Sequence, residues 1–294
     1  MKRWLFNIIT KPVLFGISKL PFFILFGISD FFFILVYYII RYRRKVVSLN
    51  LKNSFPEKSE NELALIQKKF YKHFCDLILE VLKTLTISKK EFNEHCVYSP
   101  NAHKIFDHYE KLNKGFICVS SHCGNWEWTS IGHQIYFKTI ITGIYHPLSN
   151  VFFDKLIYDM RSRFGGNMVP MNLTLREILE QKRKGIVSNL GLIADQTPPP
   201  ESAYWTTFLN QDTPVFNGVE KIAKKFNYPV VFISMHKLAR GKYIVDADVL
   251  VDSPANTKEG EISEIHTKFL EQKILEQPEF WLWTHRRWKH KRPQ

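Results

Sequence analysis

The residues best suited to chemistry are His122 and Glu127, which stand five positions apart in the segment SSHCGNWEW. A carboxylate that accepts a hydrogen bond from one imidazole nitrogen fixes the tautomer, and the other nitrogen can then take a proton from a hydroxyl. Gly124 permits a tight turn between the two residues, and Asn125 is a suitable helix cap. We therefore predict a His122–Glu127 pair that activates an acceptor alcohol. A structural histidine on a loop is the alternative, because this spacing alone is common.

Three further polar residues are candidates for substrate binding. Arg161 and Arg163 close a predicted helix, where a guanidinium could bind a phosphate or stabilise an oxyanion. Asp195 ends an apolar strand, and a carboxylate in that position is costly unless it is paired. We expect Asp195 to pair with a cationic or hydroxyl group, with Arg161 as one candidate. Asn125, backbone amides or Arg161 are expected to hold the oxyanion. A solvated arginine and a purely structural aspartate are the alternatives.

The four cysteines, Cys75, Cys96, Cys118 and Cys123, contain no CxxC pair. A disulfide framework is therefore not expected, and reduced thiols are the simpler interpretation. Cys118, His122 and Cys123 lie close in sequence, but no second ligand cluster at zinc-site spacing accompanies them. We predict no metal site.

Short apolar strands alternate with amphipathic helices along the body of the chain. The predicted strands are 115–121, 139–145, 185–195, 228–235 and 241–251, and the predicted helices are 60–85, 151–164, 174–184, 216–227 and 258–275. Ser59 and Glu62 stand in capping-box register at the start of the first helix. The alternation predicts an α/β fold with a largely parallel sheet flanked by helices, and such sheets carry their chemistry at the carboxyl ends of the strands.

An apolar segment, LPFFILFGISDFFFILVYYII (20–40), precedes this body, and Asp30 is its only charge. A helix of that length could cross a hydrocarbon core of about 30 Å. The basic run RYRRK (41–45) follows it and favours a cytoplasmic body. We expect a membrane anchor over residues 1–45 and a catalytic domain over 46–294; a helix lying in the membrane interface and a buried soluble helix are the alternatives.

The chain is basic, with a formal net charge of +13, which favours an anionic partner. Near its C-terminus, Trp281, Trp283, Arg286, Arg287 and Trp288 mix indole rings with cations. Such a mixture suits a bilayer interface, and it also suits base stacking or an aromatic core beside a solvated tail. Charge alone therefore leaves open a membrane-tethered protein that binds nucleic acid or anionic lipid.

The stretch VSSHCGNWEW resembles the His-x4-Asp/Glu motif of the lysophospholipid acyltransferase superfamily, and in particular its lipid A biosynthesis (late, or secondary) acyltransferase branch. Four further segments resemble that branch in order: NLKNSFPEKSENE, DMRSRFGGNMVP, GLIADQTPP and PEFWLWTHRRWKHK. The match runs over nearly the whole chain. At 206–214, however, TTFLNQDTP stands where the family often has a Phe-Phe-Gly-like element, and we expect this segment to border a substrate pocket.

The resemblance implies a glycerolipid acyltransferase-like enzyme without metal or dissociable cofactor. It implies an acyl-thioester donor, usually acyl carrier protein and alternatively acyl-coenzyme A, and a lipid A precursor hydroxyl as acceptor. It also implies a catalytic domain on the cytoplasmic face of the inner membrane and no nucleic-acid partner. Acylation of a lysophospholipid or another glycolipid is the alternative within the enzyme class.

Overall fold

The computed structural model describes residues 2–293, with side chains described from residue 10. Eleven α-helices run through the described residues. They are α1 (Lys2–Ser18), α2 (Phe22–Phe33), α3 (Arg44–Ser54), α4 (Glu60–Lys83), α5 (Lys89–His95), α6 (Pro100–Lys111), α7 (Trp126–Tyr136), α8 (Val151–Ser162), α9 (Thr174–Arg183), α10 (Gly218–Phe226) and α11 (Glu261–Glu276). Helix α2 continues as a π-helical segment, Ile34–Ile40.

Nine strands form two sheets. They are β1 (Cys96–Tyr98), β2 (Ile117–Ser120), β3 (Ile141–Tyr145), β4 (Asn167–Pro170), β5 (Asn189–Ile193), β6 (Tyr204–Phe208), β7 (Gln211–Val215), β8 (Val230–Ala239) and β9 (Lys242–Val251). The large sheet has the order β1-β9-β8-β2-β5-β3-β4, and only its β8–β9 pair is antiparallel. Strands β6 and β7 form a separate hairpin. The predicted fold class, α/β with a largely parallel sheet, is confirmed.

Two apolar layers cover the two faces of the large sheet. Ile117 and Val119 of β2 point into one layer, and Phe116 and Cys118 point into the other. Successive residues of a strand face opposite sides, so a strand buried on both faces is apolar throughout. This explains why β2 stands out in the sequence as an unbroken apolar run.

The longest helix, α4, forms as its sequence predicts. Ser59 accepts from the backbone N–H of Glu62, and the Glu62 carboxylate accepts from the backbone N–H of Ser59, which completes the capping box. All five predicted strands and the four helices after α7 are present, with bounds that differ by a few residues. Strands β1 and β4 and the β6–β7 hairpin were not predicted, because strands of three to five residues give little periodic signal.

Three residues of the C-terminal run pack inside the protein, whereas Arg286 is exposed and Trp288 is partly buried. Trp281, Trp283 and Arg287 are 2%, 0% and 2% exposed. The bilayer-interface and base-stacking interpretations of these residues are therefore wrong, and the aromatic-core interpretation is correct for the two indoles. The solvated-tail interpretation fails for Arg287, whose guanidinium is buried.

Candidate active site

The segment after β2 turns sharply at Gly124, whose φ is +61°. A side chain there would be strained, and its Cβ would lie 3.1 Å from the Met235 side chain. Asn125 follows as the N-cap of α7, and its side chain accepts from the Trp128 backbone N–H. Glu127 consequently lies in the first turn of α7, as predicted.

His122 is held by Asp195. His122 Nδ1 lies 2.6 Å from Asp195 Oδ1, and the His122 backbone N–H donates to Oδ2 at 2.8 Å. The sheet register explains this contact: Ser120 of β2 pairs with Ile193 of β5, so the residues two positions beyond them meet at the carboxyl edge. Trp281 Nε1 also donates to Asp195 Oδ2, at 2.8 Å.

Glu127 binds Arg161 rather than His122. Arg161 Nε and Nη2 donate to the two carboxylate oxygens at 2.7 and 2.6 Å, a bidentate pair. The predicted His122–Glu127 pair is therefore wrong, and Asp195, for which Arg161 was one candidate partner, binds His122 instead: the four residues meet with their partners exchanged. The cause is tertiary, since α8 packs against α7 and brings Arg161 to the first turn of α7.

Both carboxylates remain ionised despite burial. Burial by itself raises the pKa of Asp195, but the His122 imidazole and the N–H donors outweigh it and lower the pKa to about 2. Burial likewise raises the pKa of Glu127, and the Arg161 guanidinium, with a smaller contribution from His122, brings it below its ordinary value. The site therefore contains two buried carboxylates, one hydrogen-bonded to the His122 imidazole and the other to the Arg161 guanidinium.

The second imidazole nitrogen of His122 faces Gln196. The Gln196 amide nitrogen lies 3.2 Å from His122 Nε2. With Nδ1–H donated to Asp195, Nε2 is the accepting nitrogen, and the Gln196 amide donates to it. The His122 ring also meets the edge of the Trp126 ring, 4.9 Å between centroids. Gln196 was not predicted from the sequence, although it lies beside Asp195 in the GLIADQTPP segment.

Two other predicted site residues have structural partners. Asn125 is fully buried, and its amide nitrogen donates to Glu80 Oε2 at 3.0 Å. Arg163 Nη1 donates to the carbonyl of Thr84, the C-cap residue of α4, at 2.9 Å. Asn125 therefore stabilises the turn, and Arg163 caps the C-terminal end of α4. Neither side chain is positioned as an oxyanion donor.

A cavity of about 430 Å³ opens beside this cluster. Helix α4 gives it an apolar wall, and Arg43, Glu127 and His285 contribute polar groups. Its lining residues are Tyr42, Arg43, Phe74, Leu77, Ile78, Val81, Trp126, Glu127, Leu282, Thr284 and His285. An apolar wall facing a few polar groups fits an acyl chain whose reactive end is polar.

A second, much smaller cavity of about 10 Å³ lies behind Asp195. Phe208 of the TTFLNQDTP segment lines it, so this segment borders the rear of the site. Burial lowers the pKa of the neighbouring Arg287 guanidinium to about 10, although Asp195 acts in the opposite direction. A buried cation behind Asp195 favours the ionised carboxylate, a feature that the sequence analysis missed.

The chain matches, over residues 1–290, a protein-family model described as bacterial lipid A biosynthesis acyltransferase. No curated protein matches the chain.

Proposed function

This chain belongs to the bacterial lipid A biosynthesis acyltransferase family, and on that premise we propose that it transfers a fatty acyl group from acyl carrier protein to a hydroxyl of a lipid A precursor. The family makes it an acyltransferase of lipopolysaccharide biosynthesis. The carrier, the acceptor hydroxyl and the inner-membrane location are the proposed parts. The net charge of +13 supports an acidic carrier as donor.

The arrangement around His122 carries the proposal. Asp195 holds Nδ1 as the N–H nitrogen, so Nε2 can accept the proton of the acceptor hydroxyl once that hydroxyl replaces the Gln196 amide. The alkoxide oxygen then bonds to the thioester carbonyl carbon and forms a tetrahedral oxyanion. As the C–S bond breaks, the imidazolium returns the proton to the departing thiolate, which leaves an ester and a free thiol.

Arg161 is the proposed oxyanion or phosphate partner. Its bond to Glu127 uses Nε and Nη2, and Nη1 carries two more N–H donors. Glu127 lines the large cavity and fixes the direction of the guanidinium. A cation held in place before the reaction stabilises developing negative charge more effectively than a mobile one.

Replacing His122 tests the mechanism. We expect His122→Ala to lower acyl transfer from acyl carrier protein to a lipid A precursor by about 10²–10⁴-fold, the usual contribution of general-base catalysis. Expression and membrane fractionation should be unchanged. Near-normal turnover by the variant would exclude this histidine as the base.

Mass spectrometry of lipid A tests the substrate. Cells with and without the gene should differ by one acyl mass increment in lipid A. An unchanged lipid A profile together with a changed lysophospholipid profile would move the acceptor to the phospholipid class. Coenzyme A thioesters offered in parallel with acyl carrier protein thioesters test the donor.

A further inference from the structure

The apolar segment Phe22–Ile40 is long and apolar enough to cross a membrane, yet it lies along α4 for its whole length. The contacts run antiparallel. Lys83 Nζ donates to the Leu20 carbonyl, Ser29 Oγ donates to Asp76, and the Tyr71 hydroxyl donates to the Tyr42 carbonyl. The buried stripe of the segment, Phe22, Leu25, Ser29, Phe33 and Tyr37, follows helical spacing.

Asp30 lies near the middle of this segment, and the β8–β9 turn binds it. Arg240 donates to both Asp30 oxygens at 3.0 and 2.8 Å and to both Asp76 oxygens at 2.7–3.1 Å. Lys237 lies 3.5 Å from Asp76. Asp30 is therefore ion-paired with the α/β body. It cannot enter the hydrocarbon of a bilayer unless Arg240 and Asp76 enter with it.

Helix α4 would have to enter the bilayer alongside a spanning segment. Over this stretch it carries three exposed lysines, Lys68, Lys69 and Lys72, while its Asp76, Glu80 and Lys83 are buried against the rest of the protein. A charge near the bilayer centre costs about 2.5–3.5 kcal/mol, whereas one Phe, Ile, Leu or Val gains only about 0.3–0.6 kcal/mol. About three such charges offset the gain from roughly fifteen apolar residues, so the packing opposes a crossing.

The side of the segment that faces away from α4 is apolar and exposed. Phe23, Phe31, Ile39 and Ile40 are 76%, 63%, 68% and 59% exposed, and Leu238 near the end of the adjoining strand β8 is 66% exposed. We name these five residues the apolar face. Arg41, Arg43, Arg44 and Lys45 follow at its C-terminal end. Hydrocarbon-facing rings beside a cluster of cations fit the acyl and phosphate layers of an anionic leaflet.

The large cavity continues from this end of the segment. Tyr42 and Arg43, which follow Ile40, line it together with Ile78, and Tyr42 and Ile78 are 40% and 48% exposed. A lipid acceptor in the same leaflet could thus enter sideways, with its acyl chains still in hydrocarbon. This continuity favours a bilayer as the occupant of the apolar face.

We propose that Phe22–Ile40 lies in the plane of one leaflet and does not cross the membrane, with the apolar face in hydrocarbon and the cavity mouth at the headgroups. The lateral entry of substrate rests on the proposed function; the topology does not. Both ends of the segment then lie on the same side of the membrane as the catalytic body.

Cysteine labelling of the full chain in sealed spheroplasts tests the topology. Lys11→Cys precedes the segment and Glu57→Cys follows it, and both positions are exposed. With a membrane-impermeant maleimide, both variants should stay unlabelled until lysis, with the wild-type chain as background. Labelling of Lys11→Cys alone in intact spheroplasts would establish a crossing and overturn the proposal. This readout needs no turnover, so it is independent of the His122→Ala result.

Flotation with vesicles of phosphatidylethanolamine and phosphatidylglycerol tests the occupant. The double variant Phe31→Asp with Ile39→Asp should lose at least tenfold in vesicle binding and keep its turnover of detergent-dispersed acceptor. Leu275→Asp is the matched control, because Leu275 is 55% exposed but lies on α11. Unchanged flotation of the double variant, or a change in oligomeric state alone, would refute a bilayer on this face.

Discussion

At the scale of single residues, the two carboxylates of the site bind different partners. Asp195 holds the His122 imidazole, and Glu127 holds the Arg161 guanidinium. Both residues were predicted for the site, but with partners exchanged. Sequence distance favoured Glu127 for His122, whereas the parallel register of β2 and β5 sets Asp195 beside it.

Replacing the two carboxylates separately tests this division. In Asp195→Asn, the side-chain NH2 group cannot accept a hydrogen bond. In the position of Oδ2 it would face two donors, the His122 backbone N–H and the Trp281 indole N–H. If it takes the place of Oδ1, it meets Nδ1–H of His122. We expect kcat to fall by about 10²–10⁴-fold with little change in KM. Steady-state kinetics in detergent measures both constants.

Glu127→Gln is the comparison variant, because it leaves the His122–Asp195 pair intact and weakens the hold on Arg161. We expect a smaller loss of kcat than for Asp195→Asn. The reverse order of the two losses would mean that Glu127 orients His122 during turnover, as the spacing alone suggested.

At the scale of elements, α4 connects the apolar segment to the turn that presents His122. Asp76 faces the segment, and Glu80, one turn further along, accepts from the Asn125 amide and from the Tyr243 hydroxyl. Thr84 then accepts from the Trp128 indole. The turn that presents His122 is thus fixed by a helix whose other side contacts the apolar segment.

The Glu80 carboxyl makes the stability of the packing between α4 and this turn depend on pH. Burial raises its pKa to about 7, although Lys237 and the two hydrogen bonds act in the opposite direction. Between its ordinary value of 4.5 and about 7, the folded chain keeps a proton that the unfolded chain has released. The Glu80 contribution to the free energy of unfolding therefore falls as pH rises through that interval and is level above it.

Glu80→Gln should remove this dependence, because an amide stays neutral and can still accept both hydrogen bonds. We expect the variant to gain about 1–3 kcal/mol relative to the native chain between pH 5 and pH 8. Urea unfolding in detergent at the two pH values measures the change. Glu57→Gln, an exposed control, should follow the native chain. If the free energy of unfolding of Glu80→Gln changed with pH as that of the native chain does, the raised pKa of Glu80 would be contradicted.

At the scale of the whole molecule, the apolar segment belongs to the packed core. Phe33 and Tyr37 share one apolar layer with Phe70 and Tyr71 of α4 and with strands of the large sheet. A boundary at residue 45 therefore cuts through this layer. We propose that residues 1–45 act as a membrane element that is also a structural part of the catalytic body.

Deleting residues 2–45 should leave α4 uncovered, with Asp76 deprived of Ser29 and with Phe70 and Tyr71 exposed. We expect the truncated chain to aggregate instead of forming a soluble domain, because large exposed apolar areas promote association. Size-exclusion chromatography of detergent extracts measures this. A deletion of residues 2–9 keeps Ser29, Phe33 and Tyr37 against α4 and should stay monodisperse. A monodisperse, active product of the longer deletion would show that the anchor is separable.

The sequence by itself determined the family and the fold class, and it predicted the four residues that meet in the candidate site. Their types are dictated by chemistry, and the strands and helices that present them have clear periodic patterns. The pairing of those residues was decided only by the tertiary structure, because strand register and helix packing set distances that spacing along the chain cannot give. The same holds for Asp30: in the sequence it is a costly charge in an apolar run, and only the fold supplies Arg240, 210 positions away, as its partner.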